Sequence, residues 1–390
     1  GISGDNANNI LERLDTDVFV NHLDHVFLMT GMNDVIRTLY FDGVASENII
    51  KKRERALENF RVNTSKLVNQ FKDHNINTIL LTPSIYDQFS KIERENNLGC
   101  NEALEICSAH LRYLSKKYQL SIVDLNKKMK SIMHQGLKKD SLFTIVGKDR
   151  VHPGTQGHFI MASEILTALE PKSVVSEIVI DAAKKHVKIQ NNCEINLKQV
   201  DYKFLIFDCK EFALPFPISK EVTSILDYTK FENHFNNQQF QVNHLKKGDY
   251  KLFIDNILIG SFSSKQLSHG LNLSTFKNTP QYQQAQQVKQ LCDTYRKVAF
   301  KLRVIPFIET RFLKDFKGDK SQSNLTSYLK GQLKKIEGKP FYNYMKKSME
   351  RYIEILPNRV SLENQLKTIQ ETIYEQNKSV KHEWSLEKIY

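Results

Sequence analysis

The first part of this chain is predicted to form an α/β fold built on a parallel sheet, and two observations carry that expectation. Short runs of aliphatic residues recur, each stopped by Gly, Pro or Asn. Between them lie longer stretches with apolar residues at helical spacing. Strands that alternate with helices imply parallel pairing, with helices covering both faces of the sheet.

The elements read in order. Asp24–Met29 is a short apolar strand. Over 46–75, Leu57, Phe60, Leu67, Val68 and Phe71 fall on one helical face. Asn77–Leu81 is a second strand, stopped by Thr82-Pro83. Asn101 opens a helix that runs to about Tyr118, and Leu120–Leu125 is a third strand. A further helix follows His152-Pro153-Gly154 and runs to about Leu169. In such sheets the chemistry sits beyond the carboxyl ends of the strands.

The pattern changes at Glu170-Pro171. Val174–Ile180 and Asp201–Asp208 read as β-strands, and Tyr250–Ile254, Asp255-Asn256 and Ile257–Phe262 read as a hairpin. From about Thr279 the chain reads as helical and Lys-rich to its end. The expected organisation is therefore 1–171 as the α/β domain, 172–265 as a β-rich module and 266–390 as a mainly helical extension.

Bulk properties narrow the function classes. The 390 residues carry a net charge of +12, but the basic side chains are scattered, without an Arg-rich stripe or a nucleic-acid motif. A solvated Lys-rich surface is the expectation, and no nucleic-acid partner is predicted. No apolar run has the length of a membrane span. The five cysteines, Cys100, Cys107, Cys193, Cys209 and Cys292, lack the spacing of a zinc site. A Cys193–Cys209 disulfide is one option in an exported protein. The compartment stays open, with secretion or a periplasmic location as one option.

Chemistry concentrates in three segments. Asp149-Arg150-Val151-His152-Pro153 places a carboxylate and an imidazole on one turn before a helix. An acid beside a histidine fixes its tautomer, which is what a general base serving a hydroxyl nucleophile needs. Gly31-Met32-Asn33-Asp34 follows a strand, and Ile2-Ser3-Gly4-Asp5-Asn6 opens the chain. A backbone N–H at Gly4 and the side-chain amide of Asn33 are donors of the kind that stabilise an oxyanion. Each residue has an ordinary alternative: Asp149 as the cap of the following helix, and Asn33 and Gly4 as turn residues. Tyr86, in the loop after the second strand, is a candidate for the pocket wall, with packing of that loop as its alternative.

In this order the three segments resemble three of the four sequence blocks of the SGNH, or GDSL-type, hydrolases. Ile2–Asn6 resembles the glycine block, Gly31–Asp34 the GxND block and Asp149–Pro153 the DxxHP block, with Gly154-Thr155-Gln156-Gly157-His158 as a fitting extension. The resemblance covers residues 1–170. It implies a flavodoxin-like three-layer α/β/α domain and serine-dependent cleavage of carboxylic esters. His152 would be the base, Asp149 its acid partner, and Gly4 and Asn33 the oxyanion donors, with no metal or cofactor. The block that carries the nucleophilic serine is not found in the chain, and Ser3 is no substitute for it. The chain is therefore expected to lack the first strand of the family fold, to depend on an upstream serine and to be inactive alone. By analogy an acylated glycan is the expected substrate, and a non-catalytic ligand-binding protein of the same fold is the alternative.

Overall fold

The computed structural model describes residues 2–169, 174–201 and 203–389. The expected boundary at 171/172 lies outside the described residues. The chain divides into two compact units. One runs from Ser3 to the 170–173 segment and also takes in Ile218–Phe231; the other holds the remainder to Pro217 and resumes at Glu232.

The first unit contains α1 (Ala7–Leu11), β1 (His25–Met29), α2 (Glu47–Asp73), β2 (Asn77–Leu81), α3 (Cys100–Tyr118), β3 (Ser121–Val123), α4 (Leu125–Leu137) and α5 (Thr155–Leu169). The strands form one parallel sheet in the order β1-β2-β3, with Leu28 beside Leu80 and Leu80 beside Ile122. Strand side chains alternate between faces, and two separate cores follow. Leu28 and Leu80 join Phe60, Leu67, Val68 and Phe71 of α2 and Leu104, Cys107 and Leu111 of α3. Leu81 and Val123 join Met129, Ile132 and Met133 of α4 and Ile160 of α5. The sheet is thus a middle layer between two helical layers, the predicted α/β architecture. Val222 and Ile225, from the segment that returns to this unit, pack into the second core.

Two local differences from the sequence reading have clear causes. Gly99, with φ +92°, is the N-cap of α3, so Asn101 lies inside the first turn. There its Oδ1 accepts the N–H of Tyr86, and its Nδ2 donates to Glu105. The strand read over Leu120–Leu125 stops at Val123 because Asp124 caps α4, its side chain accepting the N–H of Lys127.

In the second unit, β4 (Ser176–Asp181), β5 (His186–Asn191), β6 (Cys193–Val200) and β7 (Phe204–Glu211) come first. A single turn, α6 (Phe231–His234), begins in the returning segment. β8 (Gln238–Asn243), β9 (Asp249–Ile254), β10 (Ile257–Ser263), α7 (Ser264–His269) and β11 (Leu271–Asn272) follow. The predicted hairpin is present: β9 and β10 pair antiparallel, and Asp255 and Asn256 both have positive φ. Helices α8 (Pro280–Leu302), α9 (Val304–Phe312), α10 (Gln322–Lys334), α11 (Tyr342–Ile355) and α12 (Arg359–Gln376) make up most of the C-terminal part.

The chain ends differently from the helical expectation. β12 (Lys381–Lys388) inserts between β9 and β7 in a sheet ordered β10-β9-β12-β7-β6. His382, Trp384 and Leu386 alternate inward, and Trp384 stacks with Phe207 and tilts against Phe240. That two-residue period belongs to a strand with one buried face. Cys193 and Cys209, on the paired strands β6 and β7, are free thiols and do not form the disulfide considered above.

Candidate active site

The candidate residues lie on loops of the first unit. Gly31 follows β1 at φ +126°, where a Cβ would come within 3.0 Å of Pro83. Glycine is therefore required by both the backbone conformation and the close approach. The turn that it opens is closed by Val35 N–H donating to Gly31 O at 3.1 Å. Asp34 lies beneath the turn and accepts the N–H of Gly31 and of Ala7, each at 2.9 Å. Burial pushes the Asp34 carboxyl up, against the opposing effect of those N–H donors.

Asn33 lies exposed at the turn and donates Nδ2 to the carbonyl of Asp5 at 2.8 Å. Together, Asn33 and Asp34 stitch the chain's opening segment to the loop after β1. Gly4 stands in the stitched turn with φ +81°, and among the described residues its N–H has no hydrogen-bond partner. One N–H of the Asn33 amide is used by Asp5, which leaves the second unengaged among the described residues. Two donors are therefore unspent on neighbouring loops.

Asp149 divides its carboxylate between two tasks. Oδ1 accepts the N–H groups of Val151 and His152, both at 3.0 Å, and folds the turn. Oδ2 faces Nδ1 of His152 at 2.5 Å. Partial burial raises the Asp149 carboxyl, but hydrogen bonds from the His152 ring and these N–H groups outweigh it and hold it at about 2. The acid is thus ionised at neutral pH, and its position favours the tautomer with the proton on Nδ1. Nε2 has no hydrogen-bond partner among the described residues, and the His152 side chain is 78% exposed. Among the described residues Asp149 bonds only Val151 and His152 and makes no cap to α5, so the alternative role considered from sequence does not describe it. Gly147 N–H donates to His152 O at 2.6 Å, and Val146 bridges Pro153, which closes the loop on itself. Behind it, Gly157 lets α5 pass the carbonyl of Ile145; a Cβ there would sit 2.2 Å from that oxygen.

Tyr86 takes the packing role that stood beside the pocket-wall reading. It is 1% exposed and belongs to the core between the sheet and α2–α3. Its hydroxyl accepts the N–H of Asn97 at 2.8 Å. Packing took the ring because the loop after β2 runs inward before it turns to the surface.

Sequence reasoning missed Arg150. Its side chain is buried, and Nη1 and Nη2 donate to the carbonyls of Asp87, Ser90, Ile92 and Arg94 at 2.8–3.2 Å. An arginine between the acid and the base reads as solvated, and nothing in the spacing signals its burial. A separate polar cavity of about 580 Å³ lies between α3 and α4, lined by Glu105, Arg112, Asp124, Lys127, Lys130 and His134. It does not contain the acid–base pair, which lies on an open surface.

Comparison with known proteins bears on this arrangement. The family model described as GDSL-like Lipase/Acylhydrolase matches residues 1–165. Among solved structures, BT4096, a gut microbial diltiazem-metabolizing enzyme, is 25% identical with a TM-score of 0.85, over 99% of this chain and 88% of that one. Axe2, an acetylxylan esterase from Geobacillus stearothermophilus, is 22% identical with a TM-score of 0.35, over 44% of this chain and 70% of its own. The acetyl xylan esterase AlAXEase is 21% identical with a TM-score of 0.34, over 43% and 78%. No curated protein matches the chain by sequence.

Proposed function

We propose, from the premise that residues 1–165 are a GDSL-like lipase/acylhydrolase domain, that this chain supplies the acid, the base and the oxyanion donors of a serine esterase. The match of residues 1–165 to that family supports carboxylic ester hydrolysis as the reaction class. The observation that carries the finer reading is the Asp149–His152 pair: an ionised acid on Nδ1 and an unengaged Nε2 facing solvent.

The chemistry follows from that geometry. His152 Nε2 takes the proton of a serine hydroxyl as its oxygen bonds to the ester carbonyl carbon. Negative charge then collects on the carbonyl oxygen, where the Gly4 N–H and the second Asn33 N–H are available to meet it. When the tetrahedral adduct collapses, the C–O bond to the alcohol breaks, and the imidazolium returns its proton to the departing oxygen. Water repeats the sequence on the acyl-serine and releases the acid. Asp149 stays ionised throughout and stabilises the imidazolium.

The free edge of the sheet supports a serine arriving on an added strand. β1 is an edge strand. On the face opposite Leu28, its side chains Phe27 and Met29 remain 45% and 44% exposed. Unpaired backbone and uncovered apolar side chains make such an edge a template for another strand. A parallel strand there would end beside Gly31, next to the unspent donors. A short acyl group on a polar alcohol, such as an acetylated carbohydrate, suits the open surface around His152, whose side chain is 78% exposed.

The test is hydrolysis of p-nitrophenyl acetate by the chain carrying an upstream strand with a Gly-Asp-Ser turn. Turnover above a His152→Ala control, falling as the acyl chain lengthens, supports the reading. Turnover equal to that control sinks it, and retained binding of acetylated oligosaccharide would then favour a non-catalytic binder.

A further inference from the structure

The buried guanidinium of Arg150 stands between the acid and the base in sequence, yet neither catalytic proton nor oxyanion involves it. It holds the loop after β2 at four points: Nη1 donates to Asp87 O (2.8 Å) and Ser90 O (3.2 Å), and Nη2 to Ile92 O (2.8 Å) and Arg94 O (3.2 Å). The main chain is stitched at the same place, with Asp87 N–H donating to Arg150 O at 2.9 Å. Asp87 and Arg150 thus exchange two bonds in opposite directions. The start of the loop is closed by Asp87 itself, whose Oδ1 accepts Phe89 and Ser90 N–H and whose Oδ2 accepts the Ser90 hydroxyl at 2.5 Å.

Arg150 also carries a local conformational cost. Its φ is +66°, a left-handed conformation that non-glycine residues seldom adopt. Such a backbone persists only where surrounding interactions over-determine it. Here the side chain points inward into four carbonyl dipoles, and that anchoring holds the left-handed residue. The reversal at Arg150 directs the chain so that Val151 and His152 return their N–H groups to Asp149 Oδ1. Loosening of the guanidinium would relax φ, move those two N–H groups and release Asp149 from the orientation that puts Oδ2 on Nδ1.

We propose that Arg150 is the positioning residue of this site: its grip on the 87–94 loop sets the backbone reversal that aligns Asp149 with His152. The role rests on the acid–base reading given above. Arginine is specific for it because a planar fork reaches several carbonyls at fixed angles, whereas a lysine ammonium is a point donor on a flexible stem. The 87–94 loop and the acid–base turn then move as one body, and displacement of either is transmitted to the other.

The experiment needs no turnover, so its failure is distinguishable from failure of the esterase reading. The His152 Nδ1 proton is followed by NMR in the intact chain and assigned by its loss in His152→Gln, while amide exchange is measured across 87–94. In Arg150→Lys, exchange over 87–94 is expected to rise about tenfold or more, and the Nδ1 proton resonance to move upfield or broaden away. If Arg150→Lys fails to fold, Ser90→Ala loosens the loop by removing its hydroxyl bond to Asp87, and the same two changes are expected to be smaller but in the same direction. A loop that exchanges faster while the His152 resonance stays fixed overturns the proposal. So does a shifted resonance with an unchanged loop.

Discussion

Asn33 donates its side-chain amide to the backbone carbonyl of Asp5 at 2.8 Å, across 28 residues of chain. One bond thereby fixes the glycine-bearing turn against the loop after β1 and leaves the second amide hydrogen available. The residue that joins the two loops is also the one proposed to meet the oxyanion. Its removal should therefore act twice.

Asn33→Ala, in a form that carries the serine, should lower kcat by about 10²–10³ with little change in KM. Melting temperature should fall as well, because the bond from Asn33 to the Asp5 carbonyl is lost. Steady-state kinetics with p-nitrophenyl acetate measure the first effect. A kcat equal to the parent's would remove Asn33 from the oxyanion site.

Asp149→Asn should cost about 10⁴ in kcat by presenting the wrong tautomer of His152. It should also change the acid limb of stability. The Asp149 carboxyl is held at about 2 in the folded chain, against an ordinary value of 3.8. Its ionised form therefore contributes stability that is present above the ordinary value and is lost as pH falls through the folded one. Urea unfolding from about pH 5 down to about 2 should show a shallower acid loss in Asp149→Asn. Parallel curves would contradict the assignment. The group is partly exposed, which keeps the effect small.

Gly31→Ala and Gly157→Ala should each destabilise the first unit by about 1–3 kcal/mol, for different reasons. At Gly31 the cost is the φ of +126° together with the approach of Pro83. At Gly157 it is the Ile145 carbonyl, which lies where a Cβ would stand. Denaturant midpoints measure both, and a neutral Gly157→Ala would mean that α5 shifts freely.

Tyr86→Phe separates a core residue from a pocket residue. Loss of the hydrogen bond from Asn97 should cost about 0.5–1.5 kcal/mol, while KM for the ester stays unchanged. A raised KM at unchanged stability would return Tyr86 to the pocket wall.

Met29→Lys probes the open face of β1. The side chain is already 44% exposed, so stability of the chain alone should change by no more than about 0.5 kcal/mol. Assembly with a serine-bearing strand should be lost, read as loss of turnover in a mixture with that segment. Full turnover would place the serine elsewhere.

The sequence by itself determined the alternation of strands and helices, the turn residues that end them and the order of the three blocks. These are local properties: a two-residue or 3.6-residue period, a positive φ suited to glycine and a short spacing between acid and base leave their mark in consecutive residues. The β9–β10 hairpin was legible for the same reason. What only the tertiary structure decided depends on contacts distant in sequence. Arg150 reads as a solvated cation until the 87–94 carbonyls close around it, and Tyr86 reads as a loop residue until α3 packs against it. The strand at Lys381–Lys388 follows a long helical region, and its pairing with β7 and β9 becomes visible only once those strands are in place. Local sequence fixes which backbone conformations are cheap. Burial and hydrogen-bond satisfaction, summed over distant partners, decide where each side chain ends up.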